Sequence, residues 1–511
     1  MHTKIFSATT VGVQAKEVHV EVDISLGLIN FFIVGLPDTA IKESRQRIGT
    51  ALKNCGIKLP DRKITVNLAP ADLKKEGTLF DLPIAVGILQ ALQLIALSPE
   101  FVQETIFLGE LSLDGAVRPI KGALAIAYDA RHRLHKKRLI VPSDNAGEAA
   151  LISDLEVIGV NHLVQLIGYV RHEIAITPTV SMWQERISST ANTIDFAQVK
   201  GQRQAKRALQ IAAAGRHNIL FVGSPGSGKT MLAQRLPTIM PPLMFQEALA
   251  TSTIYSVCGK LSNEALIYQR PFRAPHHTIS QAGLIGGGSN PQPGEVSLAH
   301  HGVLFLDEIA EFRRHILEAL RQPMESHDVS IARANHTLTF PASFLLVAAL
   351  NPCPCGYFGD KNRTCSCSQQ DIHRYLKKIS GPLLDRIDLQ VYVPSLAYDA
   401  LKEKDSGISS HELYKNVECA VERQHKRFDA PRFNNSMNTQ EIERWCLLSD
   451  GAERAFKQAF DRLKLSMRGY HKLLKISRTI ADLEGAEHIA LNHVQEALTY
   501  RSLEHTLHAF K

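Results

Sequence analysis

The sequence has no long hydrophobic run, few cysteines and almost no excess of either charge. Its most apolar stretch, Ile84 to Leu97, spans 14 residues and is broken by Gln90 and Gln93, short of the ~20 apolar residues a helix needs to cross a bilayer. No transmembrane helix and no membrane partner are therefore expected. Met1 to Val22 alternates polar and apolar residues and lacks the unbroken apolar segment and cleavage site of a secretory signal, so a cytoplasmic protein is expected. Eight cysteines in 511 residues are too few for a disulfide scaffold, and the chain carries no internal repeat. A net charge of +7 is small for this length, so composition permits a polyanionic partner without requiring one.

What is present is an ordinary globular composition, 44% hydrophobic and 21% charged, which excludes a disordered or fibrous chain. At about 150 residues per domain the length predicts three or so domains. Residues 1–170 balance 18 basic against 18 acidic side chains, and residues 395–511 balance 18 against 17. The middle carries 22 against 16 and so holds nearly all of the excess.

Pattern divides the chain in the same way. Lys16 to Asp23 and Lys63 to Leu68 alternate like strands, while Thr39 to Cys55 and Leu79 to Leu97 have helical spacing. Residues 1–170 thus read as an α+β domain. Residues 171–194 read as a linker, because Thr177 to Thr193 mixes Thr, Ser, Pro and Asn without an apolar period. In 195–394 the short apolar runs Ile219–Val222, Val303–Leu306 and Phe344–Val347 read as buried strands of a parallel sheet. Residues 395–511 read as all-helical, with Leu413, Val417, Ala420 and Val421 on one stripe and Ala452, Phe456, Ala459, Phe460 and Leu463 on another. The whole is a multidomain α/β protein.

The middle zone carries the chemistry. Gly223-Ser224-Pro225-Gly226-Ser227-Gly228-Lys229-Thr230 follows one buried strand and opens a helical run, the setting a phosphate-binding loop requires. Its backbone N–H groups can wrap phosphates, Lys229 can reach the β/γ oxygens of ATP, and Thr230 can offer a hydroxyl to Mg²⁺. The second strand delivers Asp307 and Glu308 at its carboxyl end. There Asp307 suits the Mg²⁺ shell and Glu308 the polarisation of an attacking water, which points to hydrolysis. Asn351 ends a third strand and can hydrogen-bond the γ-phosphate or the water. Arg386, just before the strand Leu389–Val393, and Arg468, at a helix start, read equally well as ordinary ion-pair members.

These residues, with the runs Ala214 to Thr230, Asn351-Pro-Cys-Pro-Cys-Gly356 and Ser466-Met-Arg468-Gly-Tyr470, resemble an AAA+ ATPase of the magnesium-chelatase-like branch. Essentially end to end, the chain is similar to the ComM/YifB family of DNA branch-migration motors. That resemblance implies an AAA+ core at 195–394, a helical lid at 395–511 and a homo-hexameric ring, with Arg386 as an arginine finger offered to a neighbour's ATP and Arg468 as the second sensor on the lid. The function it implies is ATP-driven translocation on single-stranded or branched DNA, as in natural transformation. Alternatives are the ATPase subunit of a metal chelatase, and a protein-remodelling AAA+ factor.

Three features concern partners and metals. A long insertion holds Arg270 to Thr278, with His276 and His277, and Gly283 to Gly288; it resembles the pore-facing insert of this branch. Val329 to Phe340 reads as a β-hairpin with Arg333 and His336 near its tip, and in related ring motors such a hairpin faces the channel and its DNA; taken alone, Arg333 reads as readily as the partner of a nearby carboxylate. Arg131 to Arg138 is the densest basic run, a type more often a solvated face than a binding patch. Cys353-x-Cys355 and Cys365-x-Cys367 suit a structural Zn²⁺, with His373 as a substitute ligand and free thiols as the alternative.

Val18 to Gly168 resembles the proteolytic domain of Lon in Leu73 to Gly77 and Gly109 to Ile120. Peptide cleavage there would need a Ser nucleophile and a Lys base. Gly77 to Pro83 holds no Ser, and Leu124 stands where the Lys is expected, with Lys121 displaced. A substitute Thr78–Lys121 pair is out of register. The expectation is a proteolytically inactive scaffold.

Overall fold

The computed structural model describes residues 2–28, 30–181, 194–261, 265–288, 291–332, 337–360, 363–395, 407–463 and 465–501. The chain forms two compact units. The first comprises Met1–Thr190, Phe245–Ile267 and Ala334–Thr339; the second comprises Ala191–Met244, Tyr268–Arg333 and Phe340–Lys511.

In the first unit, the antiparallel strands His2–Val11 and Gln14–Ser25 lead a four-stranded sheet completed by Lys63–Ala69 and, at its edge, Asn30–Val34. Alternation decides which face is buried: Val18, Val20, Val22 and Ile24 are inside while their polar neighbours are not. The helix Asp81–Ala91 is buried along almost its whole length, so the apolar stretch noted in the sequence is a core helix. Thr39–Asn54 forms a helix, with Asp38 accepting a hydrogen bond from the Ile41 N–H as its cap. Thr105–Phe107, Arg138–Pro142 and Glu156–Val160 make a second, parallel sheet. One element comes from far along the sequence. The helix Phe245–Val257 packs against the helix Ala123–His132, where Ser256 Oγ donates to the buried Glu148 carboxylate at 2.6 Å and Gly122 N–H donates to Ser256 O.

The second unit is built on a five-stranded parallel sheet in the order Phe272–Arg273, Val303–Leu306, Leu345–Leu350, Ile219–Val222, Leu389–Tyr392. The three central strands are buried at every residue, the signature of a sheet covered on both faces. The third spans Leu345–Leu350, so Asn351 stands at its end as the sequence reading has it. Helices Ser410–Phe428, Thr439–Trp445, Asp450–Leu463, Met467–Leu483 and Leu491–Thr499 follow. They share one apolar cluster with the sheet, in which Val391 and Ile219 sit with Val417 and Ile480. Of the expected linker, residues 182–193 lie outside the described residues.

Candidate functional site

The carboxyl ends of three adjacent parallel strands meet at one loop. Gly223 to Thr230 leaves the strand Ile219–Val222 and enters the helix Lys229–Arg235 through Gly228, whose φ of 94° is costly for any side-chain-bearing residue. The Lys229 ammonium is buried and donates to Gly223 O at 2.6 Å, Ser224 O at 3.0 Å and Asn351 Oδ1 at 3.2 Å. Burial lowers its pKa, and the nearby Asp307 and Glu308 partly offset this. Thr230 Oγ1 donates to Asp307 Oδ2 at 2.8 Å. Glu308 is exposed, holds a left-handed φ of 50° and donates its N–H to Asp307 Oδ1 at 3.0 Å. A non-glycine residue in that region costs roughly 1–3 kcal/mol and persists only where its surroundings impose it. The structure thus brings together Lys229, Thr230, Asp307 and Asn351, with Glu308 directly beside Asp307.

The loop suits a nucleoside triphosphate with Mg²⁺. Ser224 Oγ and Ser227 Oγ are buried with no hydrogen-bond partner among the described residues, and a buried hydroxyl favours a polar partner. Lys229 would hold phosphate oxygens, while Thr230 and Asp307 would hold the metal, whose charge neutralises developing phosphate charge. Gln202 was not anticipated. Its φ is 52°, and its side-chain amide donates to Ser227 O at 3.2 Å and Pro394 O at 2.8 Å, bracing the loop against the last strand. Gly201-Gln202 just before a helix is its only local signal.

Arg386 and Arg468 converge elsewhere, on one carboxylate. Glu325 Oε1 lies 2.7 Å from Arg386 Nη2 and 3.4 Å from Arg468 Nη2. The three residues line a cleft of about 480 Å³ shared with His471, Lys472 and Lys475. Beneath it Lys472 Nζ lies 2.7 Å from the buried Asp388. Asp388 also accepts the Asn218 N–H at 2.9 Å, and Asn218 holds the Arg386 carbonyl at 3.2 Å. Glu325 has no sequence signal, because it lies in the short helix Pro323–Ser326, far along the chain from both arginines.

The expected polyanion contacts divide. The His276 and His277 rings lie 4.1 Å apart, tilted by 35°, with His276 Nδ1 bonded to Thr278 Oγ1 and His277 edge-on to Phe312. Strands Asp328–Ala332 and Thr337–Pro341 flank the expected tip; Arg333 and His336 themselves lie outside the described residues. The run Arg131 to Arg138 is no free cationic patch. Arg131, Arg133, Lys136, Lys137 and Arg138 pair with Asp154, Asp129, Glu17, Glu104 and Glu156 respectively, so local carboxylates neutralise it.

The four cysteines of 353–367 do converge. Cys353 Sγ lies 3.3 Å from Cys355 Sγ and 3.7 Å from Cys365 Sγ, and all four sulfurs lie within 4.8 Å of one another, without His373. Tetrahedral zinc with bonds of about 2.3 Å separates its sulfurs by about 3.8 Å, so the set fits that ion. In the first unit Thr78 Oγ1 donates to the Glu110 carboxylate, while Lys121 lies along Gly259. The substitute protease pair does not form.

Three family profiles match the chain: "Subunit ChlI of Mg-chelatase" over residues 20–145, "Magnesium chelatase, subunit ChlI" over 195–401 and "Magnesium chelatase, subunit ChlI C-terminal" over 407–501. Competence protein ComM of Haemophilus influenzae is 44% identical, with 98% of this chain and 97% of that protein covered. YifB of Salmonella typhimurium is 42% identical at the same coverage. More distantly, the DNA replication licensing factor mcm6 of Dictyostelium discoideum is 22% identical over 58% of this chain and 32% of its own length. No helix among the described residues is long and apolar enough to cross a membrane.

Proposed function

Because this chain belongs to the ComM/YifB family of magnesium-chelatase-like AAA+ ATPases, we propose that it is an ATP-driven DNA motor that promotes branch migration of recombination intermediates, as in natural transformation. The observation that carries the ATPase part is the meeting of Lys229, Thr230, Asp307 and Asn351 at the ends of adjacent parallel strands. In this reading Lys229 binds the β/γ oxygens, Thr230 and Asp307 hold Mg²⁺, Glu308 polarises the attacking water and Asn351, beside Lys229, hydrogen-bonds the γ-phosphate or that water. The competence name of one full-length relative and the replication name of a distant one support DNA as the cargo.

The protein works as a homo-hexamer in which Arg386 serves the ATP of the neighbouring subunit and Arg468, the second sensor, lies with it on the same face. Their shared carboxylate, Glu325, supports this grouping. His276, His277, Arg333 and His336 contact single-stranded or branched DNA in the channel. Residues 1–170 form a Lon-like scaffold without protease activity, and Zn²⁺ occupies the four-cysteine site. A second reading, the ATPase subunit of a metal chelatase, draws on the three profile matches.

One experiment separates the two. Purified protein is incubated with a labelled four-stranded DNA junction and ATP, with Glu308→Gln as control. Strand exchange that requires Glu308 supports the motor. ATP hydrolysis without DNA stimulation and without strand exchange favours the chelatase reading.

A further inference from the structure

The cysteine cluster and the phosphate loop touch. Asn351, which accepts the Lys229 hydrogen bond, lies two residues before Cys353, and Gly356 directly follows Cys355. Gly356 has a φ of 84°, and a Cβ added to it would fall 2.5 Å from Pro225 Cδ and 2.6 Å from Pro225 Cγ. Only a residue without a side chain lets the backbone lie this close against the loop. The segment 351–356 therefore meets the loop at Lys229 on one side and at Pro225 on the other, with two of the four thiols between these points.

The cluster anchors that segment. Cys353 is fully buried in the apolar cluster that holds Val222, Leu306 and Leu350, the strand residues just behind the site. Gly356 N–H donates to Cys353 O at 2.9 Å, closing a tight turn. Cys355 N–H points to Cys367 Sγ and Cys367 N–H to Cys365 Sγ, each at 3.4 Å. Backbone donors aimed at sulfur stabilise thiolates. Of these, only Cys355 N–H···Sγ Cys367 joins 353–356 to 365–367, a weak tie; four metal–sulfur bonds would tie them firmly.

We propose that a zinc ion bound by Cys353, Cys355, Cys365 and Cys367 braces the phosphate loop through Gly356 and Pro225, so that metal occupancy sets the affinity for ATP. This rests on the zinc and nucleotide readings given above. By linkage the effect is reciprocal: bound nucleotide holds the zinc more tightly by the same factor.

The test uses the full-length protein in zinc-loaded, chelator-stripped and zinc-restored forms, with metal content and the Kd for a fluorescent methylanthraniloyl-ATP measured on each. One zinc per chain is expected, with Kd rising about tenfold on stripping, a typical coupling, and recovering with zinc but not with Mg²⁺ alone. Saturating nucleotide should slow zinc release to a chromogenic chelator. Gly356→Ala keeps all four ligands, so it should retain zinc yet weaken nucleotide binding several-fold. A chain that never holds zinc overturns the metal reading and the proposal with it. Zinc present, with Kd unchanged on its removal and in Gly356→Ala, overturns the brace alone and leaves the metal reading standing. A zinc-loaded chain that binds no nucleotide overturns the nucleotide reading instead.

Discussion

Lys472 Nζ lies 2.7 Å from Asp388 Oδ1, and both side chains are shielded from water. The contact joins the helix Met467–Leu483 to the turn entering the strand Leu389–Tyr392. It also sets two other residues. Arg468 stands one helical turn before Lys472, and Arg386 stands two residues before Asp388, so the buried pair positions the arginines that meet on Glu325. Lys472→Met should lower stability by about 3–5 kcal/mol, because it strands a buried carboxylate. Urea unfolding measures this, and adding Asp388→Asn should restore much of the loss.

The same carboxylate predicts a pH dependence. Burial would raise the Asp388 pKa, but Lys472 and His217 together outweigh burial and hold it well below the usual carboxylate range. Its contribution to stability is therefore complete above the unfolded-state value of about 3.9 and is lost as pH falls below it toward the folded-state value. Between roughly pH 5 and pH 3, the window around that unfolded value, the urea midpoint of the native protein should fall more steeply than that of Asp388→Asn. Parallel curves would count against the assignment.

If Arg386 serves a neighbour, two defective chains should repair each other. Lys229→Ala removes the lysine that contacts Asn351, and Arg386→Ala removes the donated guanidinium. Each alone should lose ATP turnover, the latter on the order of 10³-fold by analogy with arginine fingers elsewhere. Mixed in equal amounts, they should regain a measurable fraction, since some subunit pairs join an intact loop to an intact arginine. No recovery at any mixing ratio would place Arg386 in its own chain's site or outside catalysis.

The neutralised run makes a negative prediction. Lys137 is exposed and paired with Glu104 at 2.5 Å, and solvent-exposed pairs contribute little to stability. Lys137→Gln should leave both stability and the slope of log K against log salt for DNA binding unchanged. A slope reduced by about one unit would show that Lys137 contacts a phosphate after all.

Much of the site was legible because its chemistry is contiguous. The strands Ile219–Val222 and Val303–Leu306 coincide with their apolar runs, since a strand covered on both faces admits nothing polar. Asp307 and Asn351 then fall at strand ends by position alone. The basic run, which the sequence favours as a solvated face, is paired with carboxylates throughout, although its partners were not legible. Charge density is local, but apart from Asp129 the carboxylates that cancel it come from two strands, one helix end and a loop. Gln202 and Glu325 escaped notice because a lone amide or carboxylate carries no pattern.

By itself the sequence determined the phosphate loop, the acidic strand end and the order of sheet before helices, because burial and backbone freedom are written residue by residue. Only the tertiary structure decided that Phe245–Val257 belongs with the first unit, that Arg386 and Arg468 share Glu325, and that Gly356 lies against Pro225. Those contacts join segments far apart along the chain. Their partners are chosen by how whole elements pack, which no local pattern encodes.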